Sequence, residues 1–167
     1  MNDHIEYLIE LLEKETATFR LLLASLEAEQ QALVQNDTQG LEETVETQKA
    51  LTQRAATQER DRVNIVRQIA AMVGEGSQVL TIVRLIDLLD APFADRLRNQ
   101  RETLVSLQDN LRQTNRQNSL LLKQSMRYVD KTLQVIAGAT ASGNLYGGSG
   151  KTESPASAMH GVVNQVV

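Results

Sequence analysis

Along the first part of the chain an apolar residue returns every seventh position. Ile5, Leu12, Phe19, Leu26 and Leu33 mark one line, Leu8 and Leu22 hold the companion places of the seam, and Ile9 and Leu23 widen it. This pattern predicts a helix over residues 3–35, roughly 50 Å long at 1.5 Å per residue, with a stripe wide enough to meet more than one neighbour. Asn36, Asp37 and Thr38 follow, and Asn36 with Gln39 has the spacing of a capping box, so a tight turn should open a second helix over 38–73. The candidate buried residues of that helix are Leu41, Val45, Leu51, Ala55, Val63, Val66, Ile69 and Val73. Its middle offers mostly Ala and Thr, which allow close approach but bury little area at about 25 cal/mol per Å².

Gly74-Glu75-Gly76-Ser77 has the composition of a helix stop followed by a new cap at Ser77. The next segment, residues 78–89, is short and apolar on nearly all sides. It reads as a plug at the end of a bundle, with partner binding as the other reading. Asp90-Ala91-Pro92 then makes a start signal, because a carboxylate caps free amides and proline fits a first helical turn. A long helix over 92–137 follows, with Phe93, Leu97, Leu104, Leu107 and Leu111 on its seam, polar Thr114 and Asn118 after them, and then Leu121, Leu122, Val129, Leu133 and Ile136. At roughly 65 to 70 Å it should outrun the first helix. From Gly138 to the end the helical period gives way to Gly, Ser, Ala and Asn, which predicts a flexible tail. The fold expected is therefore all-α: an elongated antiparallel bundle of three long helices plus a short fourth, over residues 1–137, with a disordered tail over 138–167.

Composition narrows the reading of this pattern. The 167 residues include two Phe, three Tyr and no Trp, so aliphatic side chains must build the core, and prolines occur only at 92 and 155. With no cysteine, disulfides, thiolate metal sites and cysteine nucleophiles are excluded together. The opening MNDHIEYLIE carries acids and lacks a basic lead into an apolar run, so no secretory leader is expected, and no apolar window is long enough for a membrane span. A cytoplasmic protein without membrane insertion is the expectation.

Net charge is −4, yet residues 1–36 hold seven acids and two bases while 91–137 hold four acids and eight bases. An acidic first helix and a basic last one could attract each other within a bundle, or the last could face an acidic partner. Nucleic-acid binding is not expected, because the basic residues are interleaved with acids and lack stacking aromatics.

Catalytic chemistry finds no support. Gly147-Gly148-Ser149-Gly150-Lys151-Thr152 imitates a phosphate-binding loop, but Leu145 stands where that pattern needs its first glycine. His4 and His160 are the only histidines and lie at opposite ends of the chain, so neither a metal cluster nor a serine-histidine pair assembles locally. Glu10, Glu13, Glu42, Glu43 and Glu46 lack the Glu-x-x-His pattern of a di-metal bundle and read as solvated helix faces. The expectation is a non-enzyme without metal or cofactor.

The end of the last long helix carries more apolar side chains than one seam uses: Leu120, Leu121, Leu122, Met126, Tyr128, Val129, Leu133, Val135 and Ile136. Either two neighbouring helices cover them, or they form a stripe that receives an amphipathic partner helix, with Met126 supplying adaptable contact.

The order of these features resembles the FlgN-type flagellar export chaperones. The resemblance rests on the three long helices, on the run Thr114-Asn115-Arg116-Gln117-Asn118-Ser119-Leu120-Leu121-Leu122, and on Leu145-Tyr146-Gly147-Gly148-Ser149-Gly150 in the tail. The glutamate-rich opening and the turn after Gln31-Ala32-Leu33 are similar too. Gly148-Ser149 departs from the proline- or alanine-acid pair more usual there, and the apolar end Val162-Val163-Asn164-Gln165-Val166-Val167 is not a family feature. The resemblance implies a cytoplasmic chaperone of the flagellar type III export system that binds hook-filament junction proteins before secretion. It assigns client binding to Asn118, Leu121, Leu122, Met126, Val129, Leu133 and Ile136. It also implies docking at the cytoplasmic domain of a membrane export-gate protein through Leu145, Tyr146 and Gly147. The alternative is a structural coiled-coil or adaptor protein that acts by self-association.

Overall fold

The computed structural model describes residues 1–74 and 80–142, the side chains through 138. The described chain is all-α, with four helices: α1 (Asn2–Gln35), α2 (Thr38–Val73), α3 (Ile82–Leu88) and α4 (Ala91–Ser142). It divides into two compact units, residues 1–124 and residues 125 onward, and α4 contributes to both.

Helix ends fall where the chain supplies special backbone chemistry. Asn36 closes α1 in the left-handed conformation (φ 54°), and its N–H bonds back to the last turn of the helix. The capping residue of α2 is Asp37, not Asn36 as its spacing to Gln39 suggested: the Asp37 carboxylate accepts the Gly40 N–H at 3.0 Å. Asn36 is spent on ending α1 and has the wrong backbone conformation to begin α2. At the other end of α2, Gly74 takes φ 78°, a conformation costly for any residue with a Cβ, and donates to the Ala70 carbonyl. The predicted cap at Ser77 lies outside the described residues. The short helix α3 starts four residues later than expected, after Thr81, whose hydroxyl accepts the Arg84 N–H at 3.2 Å. α4 begins at Ala91 with Pro92 in its first turn and continues to Ser142, five residues beyond the predicted end.

In the first unit, cross-helix bonds give the topology. Arg62 on α2 meets Glu15 on α1, and Ser25 on α1 donates to the Thr44 carbonyl, so these two helices run antiparallel. Arg96 pairs with Glu6, Gln100 bonds Thr16, and Asn118 bonds Leu26, so α4 runs parallel to α1 and antiparallel to α2. The return of α2 and the small α3 are what allow two parallel helices to lie side by side.

The apolar core sits toward the start of α1. Ile5, Leu8, Ile9 and Leu12 pack with Ile65 and Ile69 of α2, Leu80 and Leu85, and Leu97 and Leu104 of α4. Each fully buried aliphatic side chain of this kind contributes about 1.5–3 kcal/mol. The plug reading of the short segment holds for one face of it: Leu85 is buried and Ile82, Ile86 and Leu89 pack against the core, while Val83 and Leu88 are exposed. Val45, a candidate core residue of α2, is exposed too.

Above this core comes a polar layer that apolar periodicity does not reveal. Glu15, Thr16 and Thr18 on α1 and Gln58 on α2 are buried, Thr16 bonds Gln100 of α4, and Thr18 turns its hydroxyl back to the Lys14 carbonyl. Burial raises the Glu15 pKa from its usual 4.5; neighbouring Arg62 opposes that rise and Glu59 adds to it.

Candidate interaction surface

The residues expected to bind a client lie on α4 and are not equivalent. Asn118 is 2% exposed. Its amide donates to the Leu26 carbonyl at 2.7 Å and to the Glu29 carboxylate at 3.0 Å. Glu29 in turn accepts from Gln48 of α2 at 3.0 Å, so Asn118 links α4 to both other long helices. It is a residue of the bundle interior, although the family resemblance assigns it to client binding. The reason is its position on the seam: Leu97, Gln100, Leu104, Leu107, Leu111, Thr114, Asn118 and Leu121 alternate in steps of three and four, and all are buried or half-buried.

One residue after this seam the picture changes. Leu121 is half-buried whereas Leu122 is exposed. Within the first unit, Gln30 of α1 lies beside Gln117, and α1 ends at Gln35, so α1 lies alongside α4 only as far as about residue 122.

In the second unit, Met126, Val129, Leu133 and Ile136 are all exposed, Val129 at 54% and Leu133 at 58%. Leu122, Met126, Val129, Leu133 and Ile136 again follow steps of four and three, but they stand one residue out of register with the buried seam. One residue is about 100° around a helix. Carrying the buried register onward would select Ser125, Tyr128, Thr132 and Val135, a weaker apolar set. The apolar pattern along α4 is therefore offset by one residue after Leu121.

Other features offer less. A groove of about 550 Å³ opens between α1 and α2 near their turn, lined by Ala24, Ala28, Ala32, Gly40 and Thr44, where small side chains fail to fill the space between the helices. Among the described residues no group of His, Cys, Asp or Glu is placed to hold a metal ion, and no helix is long and apolar enough to cross a membrane. Leu145, Tyr146 and Gly147 lie outside the described residues.

The model of the FlgN protein family matches residues 1–154, nearly the whole chain. The chain belongs to the FlgN family. Members of this family are flagellar export chaperones that bind flagellar proteins, and the family is not known for enzymatic activity. No curated protein and no solved structure matches this FlgN-family chain. The FlgN match extends past α4 into the segment that carries Tyr146.

Proposed function

We propose that this FlgN-family chain is a cytoplasmic chaperone that holds the amphipathic terminal helices of hook-filament junction proteins against α4 and presents them to the export gate. The observation that carries the reading is the second apolar seam. Leu122 is exposed in the first unit, and Met126, Val129, Leu133 and Ile136 are exposed in the second. Leu121, half-buried, borders it. Asn118 is left out of the contact surface, since its side chain is committed to Leu26 and Glu29.

No catalytic group is required. A client helix laid along this seam has its own apolar face covered, which prevents assembly with other junction proteins. Release at the gate requires a complex that dissociates quickly, and an interface of five or six side chains on one helix suits that better than an extensive one. Leu145, Tyr146 and Gly147 serve as a separate handle for the cytoplasmic domain of the export-gate protein.

Co-purification with hook-filament junction proteins, intact and lacking their C-terminal helix, tests the reading. The intact client is retained and the truncated one is lost; failure to retain the intact client refutes it. Leu122→Asp combined with Val129→Asp abolishes retention and leaves the helical circular dichroism unchanged. Tyr146→Ala retains the client but exports it poorly.

A further inference from the structure

The exposed seam of α4 is complementary to itself. We infer that in the free protein it is covered by the same seam of a second copy, running antiparallel, and that a client must displace that copy. The displacement rests on the client-binding reading above; the self-pairing does not.

The argument is one of register and charge along a single helix. Antiparallel alignment about a point between Arg127 and Tyr128 sets Leu122 against Leu133 of the second copy and Met126 against Val129. Two-fold symmetry repeats each layer, so four consecutive layers are apolar. The positions flanking this seam are Lys123 and Asp130 on one side and Ser125 and Thr132 on the other.

In the antiparallel pair, like flanks meet like flanks. Lys123 then faces Asp130 of the second copy, Asp130 faces its Lys123, and the uncharged Ser125 and Thr132 meet each other. A parallel pair would oppose the charged flank to the uncharged one, and no ion pair would form. The sequence thus selects the antiparallel arrangement, and both attractive contacts come from the same two residues.

The paired stretch from Leu122 to Leu133 is about three helical turns. Two helices of that length associate weakly in isolation. A weak pair suits the role: it keeps an apolar face from bulk water and gives way to a client.

Sedimentation equilibrium of the intact chain, from low micromolar to near-millimolar concentration, provides the test. A reversible monomer–dimer equilibrium is expected. Lys123→Asp and Asp130→Lys each weaken it about tenfold or more, since each turns two attractions into repulsions. The double variant, with the charges exchanged, recovers dimerisation to within about twofold of the parent. Lys123→Gln and Asp130→Asn, which remove charge without reversing it, give intermediate weakening, and all the variants keep parental helicity because both positions are exposed.

A chain that remains monomeric throughout overturns the inference, as does a double variant no better than the single ones. In the presence of a hook-filament junction protein the expected species contains one copy of each chain. Two copies of this chain with bound client would overturn the competition while leaving the dimer standing. A monomer that still retains client would overturn the dimer and leave the chaperone reading intact.

Discussion

Asn118 on α4 donates its side-chain amide to the main-chain carbonyl of Leu26 on α1, 2.7 Å away, and its Oδ1 has no partner among the described residues. A polar group at a seam position contributes little net stability but penalises any register that leaves it without a bond. Asn118→Ala is expected to cost about 1–2 kcal/mol, the loss of a buried hydrogen-bonding group, while leaving client retention intact in the folded protein. Urea unfolding and client pull-down on the same preparation check both halves. Loss of retention at full stability would return Asn118 to the binding surface.

The two apolar sets on α4 should respond differently to truncation. Leu97 is fully buried, so Leu97→Ala is expected to destabilise by about 2–5 kcal/mol through lost contact and a residual cavity. Leu133 is exposed, and Leu133→Ala should change the stability of the monomer by less than about 0.5 kcal/mol. Comparable losses in thermal unfolding at low protein concentration would show that Leu133 is core.

Glu15 gives a pH signature with a definite sign. Its folded-state pKa is raised, chiefly by burial, with the Arg62 guanidinium working against the rise. The folded chain therefore holds this proton to higher pH than the unfolded chain does. The stability contributed is complete below the ordinary value of 4.5 and is lost as pH rises from there through the raised folded value. Glu15→Gln should show a shallower decline of urea midpoint across that window, the remaining carboxylates being common to both proteins. Parallel curves for the two would sink the assignment. Arg62→Met, which removes the opposing charge, should cost about 1–3 kcal/mol at neutral pH.

At the α1–α2 turn, Asp37→Ala removes the acceptor for the Gly40 amide and should cost about 1 kcal/mol. Gly40→Ala places its methyl against the same carboxylate, so it disturbs the cap while improving helix propensity by about 1 kcal/mol. The expected net change is close to zero, and differential scanning calorimetry of both variants separates the two effects.

What the chain determines by itself is local. Apolar spacing placed the three long helices, and Gly74 and Pro92 bounded them where expected, because capping geometry and proline sterics act within a few residues of sequence. The surplus of apolar residues at the end of α4 was legible for the same reason. Burial was not. Counting apolar positions passed over Glu15, Thr16, Thr18 and Gln58, which are buried because neighbouring helices supply partners or cover them, and it kept Val45, which no helix covers. The family resemblance grouped Asn118 with Leu122 and Val129, although one is bound inside the bundle and the others are exposed. Sequence spacing states which face a residue occupies on its own helix. Which face is covered depends on where the neighbouring helices lie, and that only the tertiary structure decides, since the contacts that bury Thr16 and Asn118 join residues 84 and 92 positions apart.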